Sequence, residues 1–247
     1  MATEADLLGA FEEHSPREIH DILTAGVSPL KLIQGKRPVD CLIEGYLRSP
    51  RFADCLRVML TSGADVGDPL LQALLLDDAS SLETQIAKSP SVLGRRLSSL
   101  TAFTCCRNVT ALHICAEFNS TQCGKLLIEA GADVNARSLV DPDGLGGQTP
   151  IFHAVNSIFN YCRPMMEMLV SAGASLDVNV PMLLWGETMP WETIVFDVTP
   201  VSYAQCGLFR QFHRDERDVY DNIAFLVRAR NGSAPPERNV PNKYLAK

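Results

Sequence analysis

Short apolar stripes alternate with Gly-Ala and Thr-Pro punctuation along this chain, and the alternation repeats itself. Residues 110–136 read TALHICAEFNSTQCGKLLIEAGADVNA: a threonine, an apolar stripe, a polar break, a second apolar stripe, then Gly-Ala. The first half recurs as QTPIFHAVNS at 148–157, and more distantly as DPLLQALLLD at 68–77 and TPVSYAQCGL at 199–208. The second half recurs as EMLVSAGASL at 167–176, RVMLTSGADV at 57–66 and HDILTAGVSP at 20–29. Each stripe is long enough for a short helix, and the punctuation between stripes predicts a helix–turn–helix unit.

The spacing fixes the period. Gly26 to Gly63 is 37 residues and Gly131 to Gly173 is 42, while the 68 from Gly63 to Gly131 makes two units of 34. A period near 33 opened by T-P-L-H-x-A marks a stacked helix-pair repeat. With these features the sequence resembles the ankyrin-repeat family over nearly its whole length. The resemblance implies an all-α solenoid of stacked antiparallel helix pairs, with short β-hairpins allowed at its longer fingers. It implies one array over 1–232, with units at about 3–29, 38–64, 69–90, 110–135, 149–174 and 199–232. The tail 233–247 has three prolines and reads as an irregular surface segment, or one pinned at Val240 and Tyr244.

Local chemistry agrees with this register. SPRE at 15–18 predicts a capping box, with Ser15 at the N-cap, Pro16 at the first helical position and Glu18 at the third. Pro150 and Pro200 suit the first turn of an inner helix, where a missing N–H costs nothing. Gly131 and Gly173 suit the ends of outer helices, where positive φ is needed. Leu126, Leu127 and Ile128 give one outer helix an apolar face that only neighbouring units can bury. Thr110 and His113 stand one turn apart, and the resemblance implies that they bond each other and nearby backbone. The matching slot in other units holds Asp40, Leu71, Phe152 and Ser202, a degeneracy that suits scaffold and not a shared ligand site.

Composition narrows the function. The 247 residues are 46% apolar and 21% charged, and a net charge of −7 lacks the basic excess of a nucleic-acid binder. The N-terminal residues show no secretory signal, and no apolar run approaches a membrane span. Eight cysteines without C-x-x-C spacing read as reduced cytosolic thiols, so neither disulfides, a metal nor a cofactor is expected. Cys105 or Cys106 with His113 is the one set that an enzyme would use, and it carries no catalytic pattern.

Departures from the repeat carry the functional expectations. RSLVDPDGLGGQ at 137–148 is a long Gly/Asp-rich finger whose Asp141 and Asp143 fall short of a calcium loop, so a solvated turn is expected. LTAFTCC at 100–106 reads as a finger tucked against its neighbours, with a strand or hairpin arm as the alternative. HRDERD at 213–218 reads as a charged corner after an extended inner helix. The largest departure is the insert 175–198, which holds both tryptophans. Its role is open between a lid over the array's own core, a partner surface on the concave side, and both together. Partner-contact candidates are Trp185, Trp191, Met182, Leu184 and Met189 of the insert, with Arg137, Leu139, Asp143 and Phe118 nearby. The expected function is a non-enzymatic protein-binding module, cytoplasmic, monomeric or weakly self-associating, acting on neither nucleic acid nor membrane. The alternative is an assembly protein that joins copies of itself.

Overall fold

The structure, a computed structural model, describes residues 2–99, 101, 103–187 and 189–233. Val240 and Tyr244 of the tail lie outside them. Helices come in antiparallel pairs: α1 (Glu4–Glu12) with α2 (Pro16–Thr24), α3 (Pro38–Glu44) with α4 (Phe52–Thr61), and α5 (Pro69–Leu75) with α6 (Ala79–Lys88). After them come α7 (Ala111–Phe118) with α8 (Thr121–Glu129), then α9 (Arg163–Ser171), and last α10 (Pro200–Cys206) with α11 (Glu216–Asn231). The first members of the pairs stack in one row, α1 on α3 and α5 on α7, and the second members in another, α2 on α4, α6 on α8, α8 on α9 and α9 on α11. One continuous apolar cluster fills the space between the rows, from Leu7 to Leu226.

Leu127 is fully buried in α8, with Leu126 and Ile128 partly buried beside it. Gly131 and Gly173 sit at φ +89°, and a Cβ there would touch nothing. Their role is therefore conformational: they close α8 and α9 at an angle that costs other residues free energy. The Thr110–His113 expectation is also met. Nδ1 of His113 accepts from the Thr110 N–H at 3.2 Å and lies 2.8 Å from its hydroxyl, while Nε2–H donates to the Gln148 carbonyl at 3.1 Å. A Thr199–Ser202 pair makes the equivalent box at α10.

Three expectations need correcting. Ser15 heads α2 but makes no side-chain cap. Its ψ of 91° falls short of the 167° and 165° of the capping threonines Thr3 and Thr199. Asp78 caps α6 at a similar ψ of 84° because its side chain is one atom longer. The fifth unit has no α-helical inner element, only 3₁₀ turns at Pro150–His153 and Ile158–Asn160. Asn156 and Ser157 divert the backbone there: the Ser157 hydroxyl accepts the Cys162 N–H, and Asn156 donates to the Tyr203 carbonyl. The inner helix of the sixth unit is not extended either. It stops at Cys206, with Gly207 packed too closely against Val219 and Asn156 to admit a side chain, and Asp215 of the charged corner caps α11.

Two fingers form antiparallel hairpins. β1 (Leu97–Ser99) pairs with β2 (Cys106–Val109), and the loop joining them is tucked inward, with Phe103 and Thr104 buried. The hairpin alternative thus applies at the base of this finger and the tucked reading at its tip. The insert forms β3 (Val180–Trp185) and β4 (Thr193–Val198).

Because Leu127 is fully buried on a helix that packs against α6, α7 and α9, Leu127→Ala should destabilise the fold by roughly 2–5 kcal/mol. Chemical denaturation measures this, and a loss below about half a kcal/mol would show that α8 does not bury that face.

Candidate functional site

The insert hairpin has two faces because opposed residues in an antiparallel pair point the same way. Leu183 opposes Val195 and Trp185 opposes Thr193, and Leu183, Trp185 and Val195 are buried. Met182 opposes Phe196 and Leu184 opposes Ile194 on the other face, where Ile194 is 44% and Phe196 67% exposed. At the base of the hairpin Val180 and the opposed Val198 are also buried, and Asp197 between Phe196 and Val198 sits at φ +51°.

The inward face closes the inner-helix side of the array. Trp185 is fully buried, bridged to Thr104 and stacked on Phe212 at 3.9 Å between ring centres. Tyr46, just beyond α3, meets the edges of Trp185 and Trp191 at 6.3 and 5.8 Å. Its hydroxyl donates to the Phe212 carbonyl at 2.8 Å and accepts from Arg214 at 2.7 Å. These bonds tie the second unit to the sixth across 166 and 168 residues. The Arg107–Glu187 ion pair fastens the tip of the insert to β2.

A buried polar knot lies beneath this lid. Arg48 and Glu117 are each 1% exposed and bond at 3.3 Å from Nη2 to Oε1. The Arg48 guanidinium lies over the Phe118 and Phe103 rings at 4.3 and 4.9 Å, and also donates to the Gly45 and Leu47 carbonyls. The other Glu117 oxygen is 3.2 Å from His153 Nδ1, and Cys106 Sγ is 3.6 Å from the same nitrogen. Burial pushes the Glu117 carboxyl upward, against the opposing pull of Arg48 and Arg214, and pushes His153 down to about 3.

Cys, His and Glu together resemble a nucleophile triad, yet they are not arranged as a relay. A relay uses both ring nitrogens, one toward the nucleophile and one toward the carboxylate. Here thiol and carboxylate converge on Nδ1, Nε2 has no partner among the described residues, and burial holds the Cys106 thiol well above its usual range. His113, named with the cysteines as an enzymatic set, is occupied by Thr110 and Gln148 instead.

The contact candidates divide accordingly. Trp185 and Phe118 are corrected: both are core, Trp185 because the lid buries it and Phe118 because it packs on Phe52 under Arg48. Trp191 and Met189 are half-buried and line a groove of about 550 Å³ with Leu8 and Phe11 of the first unit and Ile33 of the loop after it. Met182, Leu184 and Leu139 come together on the open face. The finger 137–148 lies along β3 through the Leu145–Met182 bridge, and Leu139, Leu145, Leu183 and Leu184 line a smaller cavity of about 180 Å³ there. Leu139 is 62% exposed. Arg137 and Asp143 are exposed at the margin; Asp141 holds the turn by accepting the Asp143 and Leu145 N–H groups. Sequence reasoning missed Tyr46, Arg48, Glu117 and Arg214. Its one available signal was a carboxylate in the otherwise apolar HICAEF stripe.

The ankyrin-repeat family pattern, described as ankyrin repeats in three copies, matches residues 53–180. No curated protein sequence matches the chain. Among solved structures, the crystal structure of EF0377, an ankyrin repeat protein, is similar at 16% identity and a TM-score of 0.41, covering 92% of this chain and 98% of that one. No helix among the described residues is long and apolar enough to cross a membrane.

Trp185→Ala should cost about 3–5 kcal/mol, as expected for a fully buried aromatic, whereas Trp191→Ala should cost clearly less. Equal melting temperatures for the two variants would contradict the lid. Acid should also weaken the fold. Burial lowers His14 to about 4 and His153 to about 3 and holds His113 well below 6.5, so the unfolded chain takes up protons that the folded chain refuses as pH falls through 6.5. Glu117, raised by burial, works the other way. Three histidines against one carboxylate leave a net loss of stability between pH 7 and pH 5. Urea midpoints at the two pH values test this, and an unchanged midpoint would show that the histidines are not buried neutral.

Proposed function

This chain belongs to the ankyrin-repeat family, and we propose that within it the protein is a non-enzymatic, cytoplasmic module that binds a protein partner through its finger loops. The observation that carries the reading is the outward face of the insert. Met182, Leu184, Ile194 and Phe196 lie side by side, continuous with Leu139 and Leu145 of the preceding finger. A contiguous apolar face rimmed by Arg107, Asn108 and Asp141 is the kind of surface that a protein partner covers. Trp191 and Met189 offer a second contact in the groove beside the first unit. Trp185 contributes indirectly, by holding the hairpin in place. Net charge of −7 favours neither nucleic acid nor an acidic membrane surface, and the chain acts as a monomer or weak self-associate.

The test separates recognition from folding. Ile194→Thr with Phe196→Thr keeps strand-forming residues and changes only exposed side chains. Stability should move by no more than about half a kcal/mol, while capture of partners by the intact chain is lost. Undiminished capture would overturn the assignment. Size in dilute solution, measured on the same pair, addresses the assembly alternative: a shift from dimer to monomer would make the partner a second copy.

A further inference from the structure

Cys106, Glu117 and His153 reach one point from a finger strand, an inner helix and the 3₁₀ turn of the next unit. All three are buried, and their ligand atoms lie within 4.8 Å of one another. Hydrogen bonding accounts for the Glu117 contact with His153 but leaves the thiol's approach to the same nitrogen unexplained. A neutral imidazole nitrogen either donates or accepts once, so Nδ1 cannot satisfy a thiol at 3.6 Å and a carboxylate at 3.2 Å together.

A cation satisfies all three at once. Zinc bonds of about 2.3 Å to sulfur and about 2.0–2.2 Å to nitrogen and oxygen, at tetrahedral angles, set the sulfur–nitrogen edge at about 3.6 Å and the nitrogen–oxygen edge at about 3.4 Å. Two of the separations present are 3.6 and 3.2 Å. The third, sulfur to oxygen, lies within 4.8 Å against about 3.6 Å in a tetrahedral site, so the side chains would draw together on the ion as it binds. We propose that Cys106, Glu117 and His153 form a buried structural site for a zinc-class divalent cation.

The surroundings suit such a site. Arg48 takes Oε1 of Glu117 and leaves the second oxygen for the cation, so it orients the carboxylate as an outer-shell partner does. Thiolate and carboxylate together offset the two positive charges, and binding releases to solvent the protons that Cys106 and Glu117 carry. A sulfur–nitrogen–oxygen set favours a borderline-soft ion over calcium or magnesium. Cys162 is engaged with the Glu117 carbonyl at 3.4 Å, so the fourth position falls to a small ligand. No short metal-binding motif marks these ligands, which lie 11 and 36 positions apart along the chain.

The test uses the full chain, stripped of metal by chelator in denaturant, refolded and titrated with Co2+. One Co2+ per chain is expected, with the thiolate-to-cobalt charge-transfer band of a four-coordinate site and a higher melting temperature. The band should persist in Cys105→Ser, the adjacent thiol, and vanish in Cys106→Ser and in His153→Gln. No band in the wild-type chain, or a band that survives Cys106→Ser, overturns the site. Where those variants do not fold, the wild-type chain still decides. Zn2+ should protect Cys106 from alkylation in mild denaturant, mapped by mass spectrometry, and equal modification with and without Zn2+ overturns the proposal.

Discussion

A guanidinium that is 1% exposed must find its counter-charge inside the protein, and the placement of Arg48 organises the rest of this structure. Taking two charges out of water costs several kcal/mol per ion, which their attraction offsets only with good geometry and further bonds. Arg48 has these: Glu117, two backbone carbonyls, and aromatic rings above and below. Each partner belongs to a different part of the chain. Phe103 comes from the first hairpin finger, Phe118 and Glu117 from the fourth unit, and Gly45 and Leu47 from the second unit's own turn. An array of helix pairs is ordinarily held by nearest neighbours alone. Here the second and fourth units are joined directly, and removing either charge would strand the other.

The same logic extends to the far end. Arg214 reaches Tyr46, the Phe212 carbonyl and the Asn156 carbonyl, and its guanidinium lies over Phe103 and Trp185. Two arginines, from the second and sixth units, thus share the ring of Phe103. The insert supplies the apolar ceiling that excludes water from both. A lid at this point is a physical requirement, since an open site would let solvent compete for every bond of the knot.

Much of this was legible in the sequence and some was not, for reasons that can be named. The Gly and Thr-Pro punctuation reports backbone conformation, which is local, so helix pairs, glycine closures and the Thr110–His113 box could be read at single positions. The fifth unit misled because Thr149-Pro150 announces a helix that Asn156 and Ser157 then dismantle with side-chain bonds. Arg48 and Glu117 were invisible because a charge's partner 69 residues away leaves no mark on its neighbours. The tryptophans showed that the insert is apolar, but which face each side chain takes depends on a strand register that only the paired structure fixes.

That register is why the alternatives for the insert, lid or contact, are not exclusive. With a period of two, one strand presents Leu183 and Trp185 inward and Met182 and Leu184 outward. A hairpin anchored by a buried tryptophan holds its outer side chains in fixed positions, and a rigid apolar face loses less entropy on association than a mobile loop would. The burial of Trp185 and the exposure of Phe196 are therefore two consequences of one arrangement. Closing the inner-helix side leaves the fingers as the outward apolar face, the surface proposed for recognition, and the Arg48–Glu117 knot lies beneath the lid that carries it.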